Sequence, residues 1–184
     1  MHQANLLALT GSLRAQSRNS ALLRAAAAVA PANVSVTLYR DLASLPPFNP
    51  DLELVKIPAV LALSRLVGTA DGLLFACPEY AHGVPGALKN ALDWLVAGDE
   101  FVHKPIALWN ASPRAAHAQA ALAEIVSTMS GRIVPEACIV VPLLGTAFTD
   151  AQIAAVPEWR HSMRAALGRF AKAIGEFRAP SQRV

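Results

Sequence analysis

Residues 6–20 read LLALTGSLRAQSRNS. Leu6 to Thr10 form a short, continuous apolar run, which is typical of a strand buried on both faces of a parallel sheet. A polar loop from Gly11 to Asn19 then leads into a helix that we predict from Ser20 to Ala30. A buried strand that feeds a helix through a loop is the repeating unit of an α/β fold.

The same alternation continues along the rest of the chain. Further strands are predicted at residues 34–39, 72–76, 106–109 and 138–141, and further helices at 57–69, 86–97, 115–129 and 157–177. Parallel strands need helices on both faces and right-handed crossovers, so the pattern predicts an α/β, three-layer, doubly wound sheet. Ligands bind such sheets beyond the carboxyl ends of the strands, which points to the loops after the first, third and fourth strands.

Length and composition restrict the possible classes of protein. The 184 residues predict a single domain spanning 1–184, because a domain commonly holds about 100–200 residues. Hydrophobic residues make up 54% of the chain and charged residues 16%, which excludes a disordered protein. So few charges favour a surface that is partly covered by a partner subunit.

The charge pattern and the apolar runs argue against several partners. The net charge is +3, and Lys and Arg form no run of five or more, so no nucleic-acid partner is expected. No apolar run approaches the roughly 20 residues of a membrane span, and the N-terminus lacks a secretory pattern. Cys77 and Cys138 give no disulfide framework. We therefore expect a cytoplasmic protein.

The loop after the first strand is rich in groups that bind anions. It lacks both GxGxxG and the P-loop pattern, so neither a dinucleotide fingerprint nor a nucleotide triphosphatase is indicated. Hydroxyl, amide and guanidinium groups together with helix N-terminal N–H groups favour a phosphate monoester site. The side chains concerned are Ser12, Arg14, Ser17, Arg18, Asn19 and Ser20. Ordinary helix capping by Ser17, Asn19 or Ser20 is the competing interpretation.

The loop after the third strand is the most distinctive part of the chain. Residues 77–94 read CPEYAHGVPGALKNALDW. Pro78, Pro85 and two glycines predict a rigid loop whose N–H groups face a planar ligand, and Tyr80 offers a ring and a hydroxyl. Lys89 and Asp93, four residues apart on the following helix, are expected to form a surface pair.

These two loops together resemble the NADPH-dependent FMN reductase family, which includes quinone, azo-dye and chromate reductases. The resemblance lies in GSLR at 11–14 with Ser17 and Asn19, in PEY at 78–80 and in PGALKNALDW at 85–94. It covers essentially the whole chain. It implies a flavodoxin-like sheet of five parallel strands in the order 2-1-3-4-5, a bound FMN, and NADPH or NADH as substrate.

The resemblance also implies roles for individual residues. One group would hold the FMN phosphate: Ser12, Arg14, Ser17, Asn19 and Ser20. Another would line the isoalloxazine ring, largely through main-chain groups: Pro78, Glu79, Tyr80, Ala81, His82 and Gly83. Ser112 and Pro113, after the fourth strand, would close the other side of the ring. Family members are usually dimers or tetramers of dimers with a small-molecule electron acceptor.

Two stretches depart from the family pattern. Ala81 stands where the family usually has Asn, so a contact to the ring there must come from the main chain. The family's glycine-rich turn after Ser-Pro is replaced by Arg114-Ala115-Ala116-His117. The two alanines should narrow the approach of the main chain to the flavin. Arg114 adds positive charge near the ring or near a nicotinamide phosphate.

Flavin chemistry needs no protein acid, base or nucleophile, so we assign no catalytic residue. The histidines do not pair with Cys or Glu at metal-ligand spacing, so no metal is expected. Glu79 is expected to have a structural task, and Trp94 to be an aromatic at a subunit interface. Two other functions remain open on the same fold, an electron carrier served by a partner protein and a non-catalytic flavin-binding module.

Overall fold

The computed structural model describes residues 3–143, 145 and 148–178, and it consists of one parallel sheet with helices on both faces. The strands lie in the order β2-β1-β3-β4-β5, and β6 also pairs with β4. Their bounds are β1 Ala4–Thr10, β2 Val34–Leu38, β3 Gly72–Ala76, β4 Pro105–Asn110, β5 Arg132–Ile133 and β6 Ile139–Val140. The predicted fold class and the flavodoxin-like order 2-1-3-4-5 are confirmed.

Six α-helices connect and cover these strands in the described part of the chain. Their bounds are α1 Arg18–Val29, α2 Pro58–Thr69, α3 Gly86–Val96, α4 Ala116–Thr128, α5 Asp150–Ala155 and α6 Pro157–Arg178. Pro58 and Pro157 each open a helix, where a missing N–H costs little. None of the described helices has the length and apolar character needed to span a membrane.

The core has two layers, one on each face of the sheet. On one face, α1, α5 and α6 contribute buried residues such as Leu22, Ile153 and Phe170. On the other face, α2, α3 and α4 contribute residues such as Leu63 and Leu92. Every residue of β3 and β4 is buried, as strands covered on both sides require. The helices thus bury the sheet and leave the carboxyl ends of its strands to the loops.

The predicted fifth strand at 138–141 differs most from the structure. The chain pairs with β4 in two short pieces, β5 and β6, and a 3₁₀ helix at Pro135–Ala137 lies between them. Pro135 has no N–H to offer the ladder, which explains the break. The helix α5 was not predicted; it is six residues long and is held by a capping box between Thr149 and Gln152.

The prediction that Trp94 lies at a subunit interface is wrong. The indole is fully buried within its own chain, with 0% of its surface exposed. Its Nε1 donates to the carbonyl oxygen of Pro46 at 2.8 Å, and its ring meets the edge of Phe48 at 5.1 Å between centroids. Trp94 therefore anchors the proline-rich loop of this chain, with help from Asn90, which donates to the same carbonyl.

Candidate functional site

A cavity of about 740 Å³ lies at the carboxyl ends of β1, β3 and β4. The loops after these three strands form its walls, together with the start of α5. Its size is within the range of about 300–1,000 Å³ that is common for small-molecule sites. Of the predicted site residues, those that line it are Ser12, Arg14, Ser17, Arg18, Asn19, Pro78, Glu79, Tyr80 and Ser112.

At one end of the cavity, the loop after β1 presents the N-terminus of α1. Ser17 is the N-cap, and its Oγ accepts a hydrogen bond from the N–H of Ser20 at 3.3 Å. The N–H groups of Arg18 and Asn19, the first two of the helix, find no acceptor among the described residues. Unpaired N–H groups at a helix N-terminus favour a bound anion. The capping and anion-binding interpretations of this loop are thus compatible.

Internal hydrogen bonds give this loop its shape. The N–H of Ser12 donates to Oγ1 of Thr10, and the N–H of Arg14 donates to Oγ of Ser12, both at 3.3 Å. The hydroxyl of Ser20 donates to the same Thr10 oxygen at 3.4 Å. Ser20 is therefore bonded behind the loop and does not line the cavity.

Positive charge is concentrated around this end of the cavity. Arg14, Arg18 and Arg24 all line it. Arg24 forms an ion pair with Asp150 at 3.4 Å, which ties α1 to the start of α5. Asn19 is buried, and its Oδ1 has no hydrogen-bond partner among the described residues. A buried amide oxygen of this kind calls for a donor from a ligand or from water.

The opposite wall is formed by the loop after β3. Tyr80 is about half exposed, and its hydroxyl lies 3.5 Å from Oγ of Ser12, across the gap between the two loops. Glu79 accepts a hydrogen bond through Oε2 from the N–H of Ala118 at 2.9 Å. A carboxylate at this position caps the first turn of α4 and interacts favourably with the helix dipole. This contact fits the structural task predicted for Glu79.

A tight turn continues this loop beyond the cavity wall. Tyr80 and Gly83 exchange two main-chain hydrogen bonds, of 3.2 and 2.9 Å. Between them, Ala81 and His82 both have left-handed backbone angles, with φ of 48° and 58°. Tyr80 lines the cavity, whereas Ala81, His82 and Gly83, which follow it in this turn, do not. The ring of His82 stacks on that of His117 in α4, with centroids 4.5 Å apart and planes 11° from parallel.

The third wall follows β4 and is organised by Asn110. Its Oδ1 accepts from the N–H of Ser112 at 2.9 Å, and its Nδ2 donates to the carbonyl oxygen of Ala115 at 3.4 Å. The Oγ of Ser112 in turn accepts from the N–H of Arg114 at 3.2 Å. The amide therefore holds a compact turn that places Ser112 and Arg114 on the cavity wall.

Cys77 lies on the cavity wall, but its thiol is poorly suited to chemistry. The residue is 1% exposed, and its Sγ donates to the carbonyl oxygen of Pro78 at 3.2 Å. Burial, reinforced by the charge of Glu79, raises the pKa of the Cys77 thiol to about 12. The neutral thiol is not a nucleophile, so the residue is a packing group.

Iodoacetamide should alkylate Cys77 slowly in the folded protein at pH 8.5 and readily after unfolding, as measured by mass spectrometry of the cysteine peptide. Folding raises this pKa from about 9.0 to about 12. Folding therefore favours the protonated thiol. Its contribution to the free energy of unfolding is fully present below about pH 9 and is lost as the pH rises from about 9 through about 12. Rapid alkylation of the folded chain would contradict this assignment.

Sequence reasoning missed several residues of the site. Arg24, Asn110, Phe148 and Asp150 all line the cavity. Asn110 could have been found, because it ends an apolar strand at the binding edge of the sheet. The pair of Arg24 and Asp150 had no sequence signal, since the two residues lie far apart in the chain. Within the described residues, no three His, Cys, Asp or Glu side chains are grouped so as to hold a metal ion.

Comparison with known proteins identifies the family. A family model described as NADPH-dependent FMN reductase matches residues 4–143. The chain belongs to this family. The resemblance seen in the two loops is therefore confirmed over most of the chain.

Two curated proteins and one solved structure are similar to this chain. An NAD(P)H-dependent FMN reductase of Pseudomonas aeruginosa is 40% identical over 110 residues, 58% of this chain and 59% of that protein. A quinone reductase of Escherichia coli K12 is 34% identical over 111 residues, with the same shares. The chain thus spans 59% of the length of these curated relatives. The flavoenzyme FerB, an NAD(P)H:(acceptor) oxidoreductase from Paracoccus denitrificans, has a TM-score of 0.79 at 25% identity, covering 94% of this chain and 98% of FerB.

The residues of the cavity fit the cofactor after which the FMN reductase family is named. Hydroxyls, guanidinium groups and free helix N–H groups at one end match a phosphate dianion. The unpartnered Oδ1 of Asn19 matches a hydroxyl donor such as those of the ribityl chain. Pro78, Tyr80 and Ala111 give the other end a wall suited to a flat ring.

Proposed function

We propose that this chain is an FMN-dependent NAD(P)H oxidoreductase that passes electrons to a small acceptor. One observation carries the proposal: a single cavity joins a phosphate-type end, at the N-terminus of α1, to an end with proline and tyrosine walls. A flavin mononucleotide has both parts, a terminal phosphate and a flat ring. Membership of the FMN reductase family supports the same assignment.

In this proposal the loop after β1 holds the phosphate. Ser12 and Ser17 donate through their hydroxyls, and Arg14 supplies the charge. Arg18 and Asn19 add main-chain N–H groups, which remain available because the described residues give them no other acceptor. Ser20 acts indirectly, since its hydrogen bonds to Ser17 and Thr10 fix the shape of the loop.

The loops after β3 and β4 hold the ring. Pro78, Glu79 and Tyr80 form one side and Ser112 the other. Glu79 contributes by fixing the loop to α4. The turn of Ala81, His82 and Gly83 contributes by setting the position of Tyr80.

The redox chemistry would be that of FMN when it is bound, namely hydride acceptance from a reduced nicotinamide and electron transfer to the acceptor. The chain's own residues bind and orient. None of them is required to act as an acid, a base or a nucleophile, and the neutral thiol of Cys77 does not compete as a reactive group. We propose free flavin, a quinone, an azo dye or chromate as the class of acceptor. The names of the two curated relatives, an FMN reductase and a quinone reductase, support the first two of these.

Arg114 is our candidate for contact with the nicotinamide substrate. It is exposed and lines the cavity from the turn after β4, a different loop from the one that carries Arg14 and Arg18. A guanidinium group at this place suits the 2′-phosphate that distinguishes NADPH from NADH. We therefore propose NADPH as the preferred donor.

Anaerobic titration of the FMN-loaded protein with NADPH, and separately with NADH, tests this function. We expect NADPH to bleach the visible flavin spectrum, and NADH to do so at a lower apparent rate. Prompt reoxidation by a quinone would complete the cycle. A flavin that binds but stays oxidised with both donors would favour a carrier or a non-catalytic module, and failure to bind FMN would overturn the proposal.

Assembly and location form the last part of the proposal. We propose a homodimer or homotetramer, supported by a group of exposed apolar side chains around α2 and α3: Leu52, Val55, Leu66, Val96 and Val102. Three of them, Leu52, Val55 and Val102, line one shallow depression, and contact with a second copy would remove their apolar surface from water. We propose a cytoplasmic location, in keeping with two unpaired cysteines.

A further inference from the structure

The turn beside the proposed flavin ring has an unusual sequence for its shape. Two-residue turns in which both central residues have positive φ strongly prefer Asn-Gly, Asp-Gly or Gly-Gly. Here the two residues are Ala81 and His82, with φ of 48° and 58°. Alanine in particular gains nothing in the left-handed region, because it has a Cβ and no polar side chain to bond locally. Something outside the turn must therefore stabilise it.

The first turn of α4 provides that support at two points. Glu79, just before the turn, accepts a hydrogen bond from the N–H of Ala118. His82, within the turn, stacks on His117 at 4.5 Å with nearly parallel planes. The Glu79 hydrogen bond fixes the start of α4 against the loop. The ring of His117 is therefore fixed in position where His82 stacks on it.

We propose that His117 is a positioning residue for the flavin site: its ring stacks on His82 and holds Ala81 and His82 in their left-handed conformations. This inference rests on the proposed function. The turn determines where Tyr80 stands, since Tyr80 and Gly83 close it with two hydrogen bonds. Tyr80 lines the cavity and approaches Ser12, whereas His117 is not part of the cavity wall. In this proposal His117 acts on the flavin through the turn.

The variant His117→Ala tests this directly at pH 8. We expect the Kd for FMN, measured by quenching of flavin fluorescence, to rise about two- to tenfold, the factor that one aromatic pair is worth. The visible circular dichroism of the bound flavin should change with it. His117→Phe keeps a ring for stacking and should restore both signals. His161→Ala, at an exposed histidine on α6, is the matched control and should change neither.

Testing His117→Ala in a second sequence background distinguishes a positioning role from a general loss of structure. The double substitution Ala81→Asn with His82→Gly gives the turn residues that adopt positive φ without help. In that background His117→Ala should leave the Kd for FMN unchanged, because the turn no longer depends on the stack. A cooperative melting transition of the flavin-free protein is expected for each variant and checks that it is folded.

The outcomes are distinct. The inference is overturned if His117→Ala binds FMN as the wild-type chain does. It is also overturned if His117→Ala raises the Kd for FMN by the same factor in the doubly substituted background as in the wild-type background, since His117 would then act by another route. If the wild-type chain fails to bind FMN, the proposed function fails, and the inference with it.

Discussion

Replacing Arg14 with alanine should raise the Kd for FMN by about ten- to a hundredfold, since hydrogen bonds to charged groups are worth about 1.5–3 kcal/mol. Arg14 lines the cavity at the end where α1 begins, and its own N–H is engaged by Ser12, so the loop keeps its shape without the guanidinium. Only the affinity that comes from the phosphate of FMN should be lost. Titration with FMN and with riboflavin, which lacks the phosphate, measures this difference.

Two controls sharpen the result. Arg14→Lys keeps the charge without the planar fork and should give an intermediate Kd for FMN. Arg65→Ala removes an exposed arginine from α2, which does not line the cavity, and should leave FMN binding unchanged. If Arg14→Ala weakened riboflavin binding as much as FMN binding, the assignment of this end of the cavity to the phosphate would be wrong.

Adding one methyl group at Gly11 should damage both stability and binding. A Cβ there would lie 3.0 Å from Cδ of Pro78, 3.2 Å from Cγ of Pro85 and 3.3 Å from the Cys77 sulfur. Two of these neighbours are proline rings, which cannot rotate away, so the loops after β1 and β3 would have to move apart by a few tenths of an ångström. Overpacking of this kind costs about 1–3 kcal/mol. Urea unfolding of Gly11→Ala should show that loss, and FMN titration a weaker Kd.

Gly168→Ala is the matched control for this change. A Cβ at Gly168, within α6, would meet no atom within 4 Å apart from its chain neighbours and the backbone of its own helix. That substitution should raise the free energy of unfolding by about 0.5–1 kcal/mol, because alanine favours the helix. A Gly11→Ala protein as stable as the wild type, with unchanged FMN binding, would show that the two loops are not in essential contact.

The sequence predicted the fold because its strands are continuous apolar runs of the length that a covered parallel sheet requires. The runs at 72–76 and 106–109 correspond closely to β3 and β4, both fully buried. The far edge was harder to predict. There each pairing segment is only two residues long, too short for any periodicity, and Pro135 interrupts them. Short edge segments are held by their neighbours more than by their own residues.

Some parts of the candidate site could likewise be predicted from the sequence and others could not. The loops after β1 and β3 carry local signals, such as Ser17 before a helix and prolines around Tyr80, and the structure brings both to one cavity. The ion pair of Arg24 with Asp150 depends on the packing of α1 against α5, which no local pattern records. The left-handed turn at Ala81 and His82 was hidden for another reason. Its residues contradict the shape they adopt, and the stacking partner of the turn, His117, lies on a different element.

The broken edge of the sheet also bears on the behaviour of the chain at high concentration. An exposed strand of ordinary length offers a row of free main-chain donors and acceptors to any other molecule in extended conformation. Here β5 and β6 offer two residues each, and the 3₁₀ helix at Pro135–Ala137 interrupts the row. A second chain in extended conformation therefore finds no long row of main-chain groups to pair with at this edge of the described sheet. The division of this last strand protects the protein from aggregation along that edge.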